Sequence, residues 1–364
     1  MNSALKIAFF ISDHGFGHAA RTSALIEHLY TNGAFSFHPV IVSAVPEHFF
    51  SQSLLSIPFT YLHYKTDVGL VQKDPIHEDI VATLEVLRDF YPTRPEQHSE
   101  LISNLSSLKP DLIVTDISPL GLVVAEHLKV RSVIFENFLW PWIYDGYPDF
   151  KNEFADISMW MNELYSRSDL HIISEPYCHR FDDAVYIGPI SRKARTSPET
   201  LKSKLQIPPN DKVVLITMGG VPTSYTFLED LHAFNDTTFV LPGSYPKVSF
   251  EKNLRILPHQ SDFYHPDLMQ LADVVIGKLG YSTIAEVMAY QPVFGWMGRP
   301  NFRESPKLAE YVRKHTTGME ISHEVFERGE MKDVLEKIMS VSPGSEINRS
   351  GLTDVENVFR EFLG

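Results

Sequence analysis

The chain has 364 residues, of which 43% are hydrophobic and 21% charged, and its formal net charge is −14. That length suits two domains rather than one core, and the composition is that of a globular protein. Lys and Arg are scattered through an acidic chain, which argues against nucleic acid or an anionic membrane surface as partner and leaves peripheral membrane contact as a minor alternative. No apolar run approaches the roughly 18 residues of a transmembrane helix, and the N-terminal run MNSALKIAFFISDHG is too short to be a secretory signal. The lone cysteine, Cys178, excludes an intrachain disulfide and points to a reducing, cytoplasmic setting.

In chain order, strands are predicted at 6–12, 37–44, 59–64, 111–117, 132–137, 170–174 and 184–188, with helices around 18–31, 78–108 (interrupted near Pro92 and Pro95), 119–128 and 152–166. The pattern then restarts. Strands follow at 212–219, 237–243, 254–259, 273–278 and 293–298, with helices at 224–234, 265–272, 281–290, 304–315, 330–340 and 352–363. Near-continuous apolar strands alternating with amphipathic helices read as parallel sheets covered on both faces. The fold class is therefore α/β, with two facing, doubly wound, Rossmann-like domains. The boundaries expected are 1–190, a Pro-, Ser- and charge-rich linker at 191–212, a second domain at 213–345, and a C-terminal helix within 346–364 that returns to the first domain. Ligands of such folds sit at the carboxyl ends of the strands, here in the cleft between the domains.

The first βα turn, ISDHGFGHAAR (11–21), contains Gly15, Gly17 and Ala20 in G-x-G-x-x-A spacing. A dinucleotide site also wants an acidic residue at the end of the second strand, and that strand ends in Ser43 and Ala44. A metal site would use His14 and His18, four apart, but glycines separate them and no third ligand follows. A third reading is a glycine turn that lets a ligand approach the backbone, with His18 near a helix N-terminus, where the dipole disfavours the cation and leaves a neutral base. His18 as a packing residue is the bland alternative.

The second-half stretch ADVVIGKLGYSTIAEVMAYQPVFGW (272–296) is more specific. A buried strand ends at Gly277, a short loop holds Gly280, and Ser282 and Thr283 open a helix carrying Glu286. Free N–H groups at such a helix start, flanked by hydroxyls, suit a diphosphate.

Together, Gly-x-Gly-His in the first loop and the 272–296 stretch resemble GT-B glycosyltransferases of the family-28 type. They are similar in particular to the group with HGFGHA-R that includes the N-terminal domain of plant L-arabinokinase-like proteins. The resemblance implies transfer of a sugar from a nucleotide diphosphate, UDP by preference with GDP and dTDP open, to an unknown acceptor, without metal or other cofactor. It places Glu286 on the donor ribose and Gly280, Ser282 and Thr283 on the diphosphate loop. A second glycine-rich loop, 218–224, brings Gly219, Gly220, Thr223 and Ser224, and the segment 257–264 brings His259 toward the nucleobase. Where family-28 enzymes carry a Gln-x-x-Asn-type motif, this chain has Arg299, Arg303 and Glu304; Arg303 would clamp a phosphate or pair with Glu304.

An inverting transfer needs a base for the acceptor hydroxyl. The candidates are His18, Asp116 at the end of its strand, and Asp13; His18 is preferred, with Asp116 as its partner. His14, Gly15, Gly17 and Trp140 are expected on the acceptor side, Trp140 from the aromatic run 135–148. The alternative for that run is packing under a loop. Residues 49–59 read as core or as an exposed docking patch, and Cys178 lacks a motif. Two rival functions stand beside the transferase: a non-hydrolysing sugar-nucleotide epimerase, and a non-catalytic nucleotide-sugar-binding module. No kinase-like segment follows within these residues, which favours a free-standing enzyme.

Overall fold

Runs rich in Val, Ile and Phe, buried on both sides, build two parallel sheets, one in each of two compact units. The computed structural model describes residues 4–33, 35–73, 76–219, 225–243, 245–258, 260–344 and 350–364. The first unit comprises Met1–Ile190, Asn301–Glu304 and Ser350–Gly364, and the second Ser191–Pro300 and Ser305–Arg349.

In the first unit β1 (Leu5–Ile11), β2 (Phe37–Ser43), β3 (Thr60–His63), β4 (Leu112–Asp116), β5 (Arg131–Glu136), β6 (Leu170–Ser174) and β7 (Val185–Ile187) pair in the order β3-β2-β1-β4-β5-β6-β7. All neighbours are parallel. Strand alternation sorts the faces. Ile7, Phe9 and Ile11 join one core with Val355 and Phe359 of the C-terminal helix Leu352–Leu363, while Ala8 and Phe10 join another. The order reverses between β1 and β4, so the crevice that receives ligands in doubly wound sheets opens at the ends of these two strands.

The second sheet contains β8 (Lys212–Thr217), β9 (Thr237–Pro242), β10 (Ser249–Glu251), β11 (Leu254–Leu257), β12 (Val274–Lys278), β13 (Val293–Met297) and β14 (Gly318–Glu320), in the order β10-β11-β9-β8-β12-β13-β14. Only the β10–β11 pair is antiparallel. Its switch point lies between β8 and β12. Gly277 stands opposite Thr217 there, and a Cβ on Gly277 would lie 2.6 Å from the Thr217 carbonyl oxygen. Gly277→Ala is therefore expected to cost about 1–3 kcal/mol through overpacking, read as a lower urea midpoint; an unchanged midpoint would show that the strands can part at no cost.

The helix at 224–234 and the linker at 191–212 differ from the sequence reading, while 78–108 and 49–59 follow it. The helix expected at 224–234 is the single turn Leu228–Leu231 among the described residues. The interrupted helix 78–108 divides into Ile80–Phe90, Pro95–His98 and Ser99–Leu108, as its prolines require. Segment 191–212 carries a helix, Pro198–Lys204, whose Leu201 packs with Leu205 in a core of the second unit. Residues 49–59 overlap the helix Glu47–Ser53, with Phe50 buried and Leu55 exposed. Among the described residues no helix is long and apolar enough to cross a membrane.

Candidate functional site

The turn after β1 is shaped by Gly15, whose φ of 85° and ψ of 172° suit glycine alone. Nothing lies within 4 Å of a Cβ placed there, so the turn is open. The helix Phe16–Thr31 starts two residues earlier than its sequence suggests and places Gly17 and His18 in its first turn. In the parallel register Ile11 is opposite Asp116, which brings the ends of β1 and β4 together.

His18 Nδ1 lies 2.7 Å from Asp116 Oδ1. Asp116 is 1% exposed and also accepts from Arg21 Nε (3.1 Å), Arg21 Nη2 (2.5 Å) and the Thr22 hydroxyl (2.8 Å). Burial would raise the Asp116 carboxyl, but the Arg21 guanidinium and His18 outweigh it and hold it at about 2. Asp116 is thus a carboxylate at neutral pH, so Nδ1 carries the proton toward it and Nε2 is left as the basic nitrogen. Arg21, buried over the Phe135 ring, donates onward to Asn137 Oδ1 (2.8 Å), and Asn137 Nδ2 donates to Glu304 Oε1 (2.8 Å). Directly after Asp116, Ile117 has φ of 56°, an outlier for a β-branched residue, and the Tyr165 hydroxyl donates to its carbonyl at 2.7 Å.

A second buried carboxylate, Asp67, accepts from the Ser12 hydroxyl (2.9 Å) and from Trp140 Nε1 (3.0 Å). Burial first, and then the Asp13 charge, push its carboxyl up to about 6. Burial also raises Asp13. His14 accepts from Leu70 N–H at 3.4 Å and lies edge-on to Trp140.

Two expectations need correction. Trp140 does not offer a face on the acceptor side. It is fully buried at the start of the helix Trp140–Tyr144, with its indole N–H taken by Asp67 and its ring stacked on Tyr144. Arg303 and Glu304 pack within the first unit, because Phe302 between them and the turn is buried in its aromatic core. Arg303 donates to the Trp142 carbonyl, lies 4.5 Å over the Trp142 ring and pairs with Asp145 at 3.5 Å, while Glu304 accepts from Asn137.

In the second unit Gly280 caps the helix Tyr281–Tyr290 without a side-chain hydrogen bond, and a Cβ on it would meet nothing within 4 Å. The first turn behind it carries half-buried Ser282 and buried Thr283, and its leading backbone N–H groups have no acceptor within the helix. Gly219 is exposed with φ of 69°, and a Cβ there would be 4.0 Å from the Lys278 Nζ at the end of β12. Gly220, Thr223, Ser224 and His259 lie outside the described residues. Glu286 is buried, and its Oε1 accepts from Arg192 Nη2 (2.9 Å) and Nε (3.3 Å). Its Oε2 accepts from His265 Nδ1 (2.9 Å), and His265 Nε2 lies 3.3 Å from the Thr217 hydroxyl. Burial raises the Glu286 carboxyl, but Arg192 and His265 lower it further, so it remains ionised. Asn137, Asp67, Arg192 and His265 are members of these networks that the sequence had not singled out, and Arg21 joins them from the HGFGHA-R motif.

The architecture is that of GT-B glycosyltransferases. The calicheamicin glycosyltransferase CalG4 superposes with a TM-score of 0.64 at 13% identity, over 100% of this chain and 99% of that one. TcCGT1 in complex with UDP gives a TM-score of 0.62 at 12% identity, over 99% and 94%. In sequence, the chain is 26% identical over 373 residues to the L-arabinokinase of Arabidopsis thaliana, covering 98% of this chain and 34% of that protein, so it spans about a third of that relative's length. No family model matches the chain.

Proposed function

We propose that this chain is a glycosyltransferase that moves a sugar, with inversion, from a nucleotide-diphosphate donor to the hydroxyl of an acceptor. The observation that carries the reading is the buried His18–Asp116 pair at the switch point of a GT-B first unit. His18 Nε2 takes the proton as the acceptor oxygen attacks the anomeric carbon. The bond from that carbon to the diphosphate oxygen breaks, and its electron pair leaves with the nucleotide. Asp116 holds the ring in the tautomer that keeps Nε2 free, and its charge, shared with Arg21, supports the imidazolium. Asp13, His14, Gly15 and Gly17 form the acceptor side of the same turn.

The donor belongs to the second unit, with its diphosphate on the open turn of Gly280, Ser282 and Thr283 and beside Gly219, and its ribose on the Glu286 side. First-turn N–H groups and the Lys278 ammonium serve the leaving charge without a metal. UDP is the preferred nucleotide, in keeping with the UDP bound by TcCGT1. A buried lone cysteine supports a cytoplasmic setting.

Calorimetric titration with UDP, GDP and dTDP tests this reading. One nucleotide should bind, and Glu286→Gln should weaken it by about 1–3 kcal/mol through lost charged hydrogen bonds. Absence of binding by all three to the folded protein would overturn the transferase. A second reading, a binding module without turnover, draws on one observation: the sequence also matches a part of a longer protein. It predicts nucleotide binding with no sugar released or transferred.

A further inference from the structure

The carboxylate assigned to the ribose does not reach solvent by itself. The Glu286 side chain is 3% exposed and each of its oxygens already accepts from a cationic or imidazole donor. Arg192, on the Oε1 side, is 7% exposed and lies over the Tyr264 ring at 5.3 Å. The member of this cluster that solvent reaches is His265, with 29% of its side chain exposed. It opens the helix His265–Leu271 at the carboxyl edge of the second sheet, beside the end of β8.

The polarity of this ring is set from behind. An ionised Glu286 accepts from Nδ1–H, which leaves Nε2 as the ring nitrogen that the carboxylate does not hold. Its neighbour in the structure is the Thr217 hydroxyl at 3.3 Å, longer than the 2.9 Å bond to Glu286. A ligand hydroxyl at an ordinary distance would make the better partner, and a hydroxyl both donates and accepts, so it satisfies this nitrogen with or without a proton.

We propose that His265 is the residue that recognises a ribose hydroxyl of the donor nucleotide, and that Glu286, fixed by Arg192, is a positioning residue acting through it. This rests on the nucleotide-sugar reading above and adds the element that distinguishes a ribonucleotide from its deoxy analogues.

The test is calorimetry of the full chain with UDP, 2′-deoxy-UDP and 3′-deoxy-UDP. Wild type should favour UDP over at least one deoxy analogue by about tenfold, the effect of one hydrogen bond. His265→Asn places an amide N–H where Nδ1 was and nothing where Nε2 was. This variant should bind UDP about tenfold more weakly and lose the preference, while its affinity for the deoxy analogue stays within about twofold of wild type. His265→Gln, whose longer amide reaches the Nε2 position, should recover part of the preference. In the His265→Asn background, Glu286→Gln should change the UDP to deoxy ratio no further. Three results overturn the proposal and leave the transferase standing: wild type that ignores both ribose hydroxyls, a His265→Asn variant that keeps the full preference, or binding of dTDP without UDP; should GDP be the nucleotide bound, the same comparison with 2′- and 3′-deoxy-GDP decides in the same way. Absence of every nucleotide overturns both.

Discussion

Replacing Asp116 with alanine is expected to lower the unfolding free energy by about 3–5 kcal/mol at pH 7, because it strands the Arg21 guanidinium without its counter-charge in the core. The Thr22 hydroxyl and His18 Nδ1–H lose their acceptor in the same step. Acid should reach the same interaction. Asp116 is held at about 2 against an ordinary value of 3.8, so its folded pKa is depressed and its contribution, about 2–3 kcal/mol, is fully present above pH ~4. That contribution is lost as pH falls from about 4 to 2. Urea melts of wild type and Asp116→Ala across this window should converge; parallel curves would mean that the buried pair contributes nothing.

The second large effect has the opposite sign. Asp67 is pushed up to about 6 by burial and by Asp13, so ionising it costs the folded state about 3 kcal/mol at neutral pH. A raised carboxyl stabilises fully below its unfolded value near 4 and loses that contribution as pH climbs through 6. Asn at this position can still accept from the Trp140 indole and donate to Ser12. Asp67→Asn is therefore expected to raise stability at pH 7 by about 2 kcal/mol and to flatten the rise in stability that wild type shows between pH 6 and 4. A variant less stable than wild type at pH 7, with the slope intact, would show that the carboxylate is not under strain.

The elements were legible wherever one face repeats. Helices Pro119–Leu128, Tyr281–Tyr290 and Glu304–His315 fall on the residues their periodicity indicates, and the parallel strands read as apolar runs. The edge strands Ser249–Glu251 and Gly318–Glu320 escaped because their ends are exposed and carry polar or glycine residues, whereas the equally short Val185–Ile187 lies in an apolar run and was read. That His18 and Asp116 meet was legible, because Asp116 closes a strand beside the one whose following turn and helix start carry His18, at a switch point. The burial of Arg21, the arginine of the HGFGHA-R motif, was not. An arginine on an amphipathic helix reads as solvated, and the aspartate from β4 and the asparagine after β5 explain its burial. Arg192 and His265 reach Glu286 across 94 and 21 residues of chain, a separation that carries no local signal. Trp140 was misread because aromatic residues in a loop look the same before their packing is known, and the buried partner of its indole, Asp67, sits 73 residues away.

The chain passes between the two units at four places, after residues 190, 300, 304 and 349. The heritable module is therefore not a contiguous stretch of coding sequence. A fragment stopping at 190 would present the surface of Leu25 and Ile7 bare of Val355 and Phe359, and an aromatic core without Phe302. Recombination that grafts a new second unit onto this first unit must carry three pieces of the first together: 1–190, the four residues 301–304 and the segment from 350. A single crossover splits them, so chimeras built at one junction inherit a mismatched core.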